Sequence, residues 1–69
     1  MVIKETVHKS RKMIWGTFKH DDKSVTHFEG REEGWQQWGN TTSKLCETVK
    51  RVETLYDEWL TDVKHGGGF

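Results

Sequence analysis

One cysteine stands in this chain of 69 residues, and a lone thiol forms no internal disulfide. No pair of Cys or His residues has zinc-ligand spacing either, so no covalent or metal staple and no cofactor is expected. Charge of one sign is also missing: eleven basic residues balance eleven acidic ones. Such a chain lacks the field that makes sequence-independent binding to nucleic acid or to an anionic membrane the default. No apolar run approaches the roughly 18 residues of a membrane span. Met1–Arg11 carries charge and Thr throughout without an apolar h-region, so no secretory signal is expected and a cytoplasmic location is the working reading. Hydrophobic residues make up only 32% of the chain, but their placement is periodic, which argues against disorder.

What is present is aromatic: four Trp, three Phe and one Tyr must supply much of a core. Val2–His8 is rich in β-branched residues and reads as a strand, and Lys12–Lys19 reads as a second one. Ser24–Glu29 alternates as a third, after a His20-Asp21-Asp22-Lys23 turn. A two-residue turn at Ser10-Arg11 sets Val7 opposite Ile14 and Ile3 opposite Phe18. With Asp21-Asp22 turning the second hairpin, Phe18 meets Val25 and Trp15 meets Phe28, which leaves Val2, Met13, Trp15 and Phe28 on the second sheet face. A slip of one residue there would exchange Phe28 and Val25 between the faces.

Gly30–Asn40 holds three glycines, and Trp35 and Trp38 stand three residues apart, on one side of a helical turn. The segment reads as a short helical or 3₁₀ turn with both indoles folded onto the domain. From Thr41 the period becomes 3.6: Leu45, Val49, Val52, Tyr56, Trp59 and Val63 form one apolar stripe, widened by Leu55 and Leu60. Asn40, Thr41 or Thr42 can cap its start, and Gly66 suits the left-handed position after its end. The expected fold is therefore α+β, a three-stranded antiparallel meander followed by one long C-terminal helix packed on one sheet face. Residues 1–65 form one domain and 66–69 a flexible Gly-rich tail. Ile3, Val7, Ile14, Phe18, Leu45, Val49, Val52 and Tyr56 are the expected core. A helix over 41–65 extends about 37 Å against roughly 23 Å for a seven-residue strand. Trp59, Leu60 and Val63 then overhang the sheet, and they are the expected interface of a homodimer unless Trp35 and Trp38 cover them.

Catalytic signatures are missing. There is no G-x-S-x-G, no phosphate-binding glycine loop and no Cys/His nucleophile pattern, so an enzyme is not expected. His20-Asp21-Asp22 reads as turn chemistry, His8 and His27 stand too far apart to share a metal, and Cys46 beside the stripe reads as a buried thiol. The leading expectation is a small protein-binding module, an inhibitor or modulator that docks on a larger, unidentified protein through Met13, Trp15 and Phe28 or through an open strand edge. The alternative is DNA binding. Three strands followed by a helix are similar in topology to plant AP2-type and integrase arm-binding domains, which place the sheet in the major groove, although no motif of either is matched. In that alternative Lys9, Arg11 and Lys12 at the first hairpin tip are the candidate phosphate contacts. Residues 1–30 carry six basic side chains to four acidic ones.

Overall fold

The computed structural model describes residues 1–66 and has four strands where three were expected. The strands are β1 (Lys4–Lys9), β2 (Ile14–Lys19), β3 (Val25–Arg31) and β4 (Gly34–Gly39), followed by the helix α1 (Thr42–Lys64). They form one antiparallel sheet in sequence order, so the α+β meander is present with one strand more. Among the described residues no helix is long and apolar enough to cross a membrane.

The fourth strand is the Gly-Trp-Gln-Gln-Trp-Gly segment that period-3 spacing had suggested as a helical turn. Glu32 and Glu33 make a two-residue turn that pairs Arg31 with Gly34. Gly34 carries φ of +151°, a conformation open to glycine and rarely adopted by other residues. In a strand, positions three apart point to opposite faces. Trp35 therefore packs against the core under the helix, and Trp38 lies on the other side of the sheet.

Both hairpin registers differ from expectation. The first loop spans Ser10–Met13, closed by the Ser10 N–H on the Met13 carbonyl at 2.9 Å, while the Ser10 hydroxyl accepts the Met13 N–H at 3.1 Å. This longer loop moves the pairing by two residues, so Phe18 faces Glu5 and Val7 faces Gly16. Ile3 is consequently not core; it is 61% exposed, and Val7 is half-buried. In the second hairpin the one-residue slip is the observed state: Phe18 pairs with Thr26 and Gly16 with Phe28. Phe28 thus joins the core, 1% exposed and stacked on Phe18 at 5.2 Å, and Val25 goes to the other face.

The core contains Ile14, Phe18, Phe28, Val52, Leu55, Tyr56 and Trp59, with Val2, Val7, Trp35, Leu60 and Val63 packed around it. Leu45 and Val49, nearer the helix start, are half-buried. The helix begins beside the β2–β3 turn, where the Asn40 side chain accepts the Val25 N–H at 3.1 Å and donates to the Lys23 carbonyl. Thr41 is the N-cap by backbone geometry, without a side-chain capping bond. Gly66 takes the left-handed position at φ +73°, and its N–H meets the Val63 carbonyl at 3.2 Å. Residues 67–69 of the expected tail lie outside the described residues.

A helix of 23 residues is about 34 Å long and does outrun the strands. The overhang is filled from within the chain. The Trp59 indole N–H donates to the Ser10 carbonyl at 2.7 Å, and the Tyr56 hydroxyl donates to the Arg31 carbonyl at 2.6 Å. The β1–β2 loop and the β3–β4 turn therefore extend the floor beyond the strand ends. Trp59, expected at a dimer interface, is fully buried, while Leu60 and Val63 are half-buried against the core.

Candidate functional site

The helix covers one face of the sheet and leaves the other open. Strand alternation assigns Thr6 and His8 of β1, Trp15 and Thr17 of β2, His27 and Glu29 of β3, and Trp38 of β4 to the open face. These seven residues and Met13 line one groove of about 390 Å³, whose floor also touches Gly16 and the edge of Phe28. That volume lies at the small end of the range for ligand sites.

Two cross-strand pairs build its walls. His8 stacks on Trp15 with ring centroids 5.4 Å apart and 22° between planes, and His27 stacks on Trp38 at 5.8 Å and 21°. His8 faces Trp15 directly across β1–β2, and His27 faces Trp38 directly across β3–β4. Direct cross-strand neighbours are the closest side chains on a sheet face, so each slab follows from register alone. Trp15 remains 38% exposed and Trp38 47%.

The face has polar ends. At one, Lys4 and Lys19 stand directly opposite each other. Neither has a carboxylate within ion-pair distance among the described residues. At the other end Arg31 pairs with Glu29 at 3.1 Å and shares a cleft of about 270 Å³ with Arg11, Lys12, Glu32 and Glu33.

The residues expected to form a docking patch divide. Trp15 and Met13 belong to the groove, whereas Phe28 contributes only an edge to its floor because register turns its ring inward. Of the candidate phosphate contacts, Arg11 and Lys12 adjoin Arg31, while Lys9 belongs by register to the helix-covered face, opposite Ile14. Trp38, expected in a helical turn, and His8 and His27, weighed only as metal ligands, are not among the expected docking residues although all three line the groove. The signal for them was available in the His-x₆-Trp spacing of the first hairpin, but only with its true loop length, and Trp38 required the segment to be read as a strand.

Elsewhere the polar groups are structural. Asp21 accepts the backbone N–H groups of Lys23 and Ser24, both at 2.8 Å, and these bonds, that of Lys23 foremost, hold its carboxyl below the usual range. His20 turns inward, with its Nε2 2.8 Å from Thr26 Oγ1 and its Nδ1 3.4 Å from Glu47. Cys46, expected to be buried, is exposed, since the helix turns Leu45, Thr48 and Val49 toward the sheet and Cys46 away. Arg51 binds both carboxylate oxygens of Glu5, at 2.8 and 3.0 Å, and so ties the helix to the β1 edge. Among the described residues no group of three or more His, Cys, Asp or Glu side chains is placed to hold a metal. No family model, curated protein or solved structure matches the chain.

Proposed function

We propose that the protein is a small cytoplasmic recognition module that holds a linear segment of a larger partner across its open sheet face and carries out no reaction of its own. The observation that carries this reading is the pair of His-stacked indoles left uncovered over one groove. Large aromatics concentrate binding energy when a partner desolvates them. The docking surface is thus Trp15, Trp38, His8, His27 and Met13, with Phe28 serving the core. Size argues for a linear segment. Four strands about 4.8 Å apart and about 20 Å long present roughly 400 Å², half of the roughly 800 Å² per partner in a standard protein–protein interface.

The test is binding to two probe sets, an array of random peptides and a pool of random single-stranded oligonucleotides, using the wild type and a Trp15→Ala/Trp38→Ala variant whose fold is checked by circular dichroism. Binding of either set that is lost in the face variant and kept in a Lys50→Ala/Glu53→Ala helix variant supports the reading. Binding that survives loss of both indoles, or no binding to either set, overturns it.

A further inference from the structure

Resting on that reading of the open face, we infer that its partner is a single-stranded nucleic acid, with bases stacked on Trp15 and Trp38 and the phosphate backbone led over Lys4 and Lys19. Like charges directly opposite on neighbouring strands repel, yet Lys4 and Lys19 occupy such a pair with no carboxylate within ion-pair distance of either among the described residues. A bound anion removes that repulsion. Across the strand residues of the open face there are three cations, Lys4, Lys19 and Arg31, to one carboxylate, Glu29. A chain of zero formal charge has therefore placed an excess of positive charge on the face that carries its exposed indoles.

The indoles add a stacking surface. Trp15 on β2 and His27 on β3 are diagonal neighbours, because Trp15 pairs with Glu29 and His27 with Thr17. Diagonal side chains lie about 7–8 Å apart, about twice the 3.5–4.0 Å contact distance between carbon atoms. That spacing is what one flat ring needs between two others, and both residues line the groove together with Thr17. Trp38, beyond His27 at the sheet edge, offers a further platform. A polymer that repeats a planar π-system and an anion at every unit matches an aromatic centre with a cationic end. Aromatic stacking with a basic track is the general means of gripping unpaired strands, and unstacked bases are what a four-stranded sheet with exposed aromatics takes up. A second copy of this chain would meet the same cationic face and half the usual interface area.

The experiment is fluorescence anisotropy of labelled oligo-dT and oligo-U of about 12 nucleotides, with the corresponding duplex and poly-glutamate as competitors. Single strands are expected to bind and the duplex to compete weakly. Trp15→Ala and Trp38→Ala should each weaken binding by roughly 5- to 150-fold, with Trp15→Phe and Trp38→Phe restoring much of it. Lys4→Gln/Lys19→Gln should flatten the log–log salt slope by about 1.4. No single-strand binding at about 100 µM protein in low salt, or binding indifferent to both indoles, overturns the inference. Equal competition by poly-glutamate also overturns it, since charge alone would then suffice. If oligonucleotides fail while peptides bind and are lost in the indole variant, the nucleic-acid assignment falls and the recognition module stands; if neither binds, both fall.

Discussion

Phe28 is the residue whose truncation measures the register of the second hairpin. It is 1% exposed and stacks on Phe18 with 24° between ring planes. Removing a core Phe to Ala costs about 3–5 kcal/mol, and a 69-residue domain holds about 3.5–10 kcal/mol in all, at 0.05–0.15 kcal/mol per residue. Phe28→Ala therefore leaves little folded protein to measure, and Phe28→Leu is the informative change. It keeps most of the volume and loses the stacked pair, for about 1–2 kcal/mol. At 4–8 °C per kcal/mol for a domain of this size, Tm falls by roughly 5–15 °C. Val25→Ala is the control: Val25 is half-buried on the open face, and its truncation should cost under about 1 kcal/mol. Urea unfolding followed by far-UV circular dichroism gives both values, provided the m-values agree. A Phe28→Leu change within a few tenths of wild type, or a Val25→Ala change larger than it, would refute the inward placement of Phe28.

Three further outcomes follow from the packing. A Cβ at Gly30 would stand 2.6 Å from Tyr56 Cδ1 and 3.0 Å from Ile14 Cγ2; Gly30→Ala should cost about 1–3 kcal/mol by overpacking, and a thermal melt unchanged by it would contradict the seat of the tyrosine ring. Tyr56→Phe removes the hydroxyl bond to the Arg31 carbonyl and should cost about 0.5–1.5 kcal/mol at neutral pH. Burial, with Glu33, Asp57 and Glu32 adding to it, raises the Tyr56 phenol above its ordinary 10.0. The folded state thus holds this proton more tightly, and the phenol's contribution is complete below about pH 10 and is lost as pH rises through the folded value. Urea midpoints taken from about pH 9 to about pH 11 should fall, and less steeply in Tyr56→Phe; parallel curves would deny the phenol that role. Trp59→Phe leaves the Ser10 carbonyl without its indole donor and should cost about 1–3 kcal/mol, with faster amide exchange across the β1–β2 loop. Unaltered loop exchange would show that the helix end does not hold it.

The helix was legible because its stripe repeats over six positions, and an error at one leaves the others in phase. Val52, Tyr56 and Trp59 lie on one face as the 3.6 period requires. The strands were legible as strands but not in register: with a period of two, the two-residue error in the first hairpin changed partners and kept faces, while the one-residue error in the second changed faces. Two loop lengths decided five placements: Ile3, Val7, Phe28, Val25 and the His8–Trp15 stack. No local rule announces the Ser10–Met13 loop, because the Ser10 hydroxyl that closes it is as common in shorter turns. The Trp59 environment was illegible for a related reason. Its floor is a loop carbonyl 49 positions earlier in the chain, which a comparison of helix length with strand length omits.

The fourth strand carries the most consequence for function, and elementary accounting explains why it forms. With β3 as an edge, seven residues would present an unpaired ladder beside the helix, and a free edge of that length invites association with other chains. A helical turn over Gly34–Gly39 would satisfy only its own few backbone groups, with glycine at each end to weaken it. Pairing it with β3 satisfies backbone groups on both segments and still lets Trp35 reach the core. Gly39 permits the close approach, since a Cβ there would meet the Val25 carbonyl oxygen at 2.4 Å. The spacing of three that would have hidden both indoles on a helix then sends them to opposite faces. Burial of Trp35 and exposure of Trp38 are thus one event, and the surface available for recognition follows from how the chain satisfies its backbone at β3.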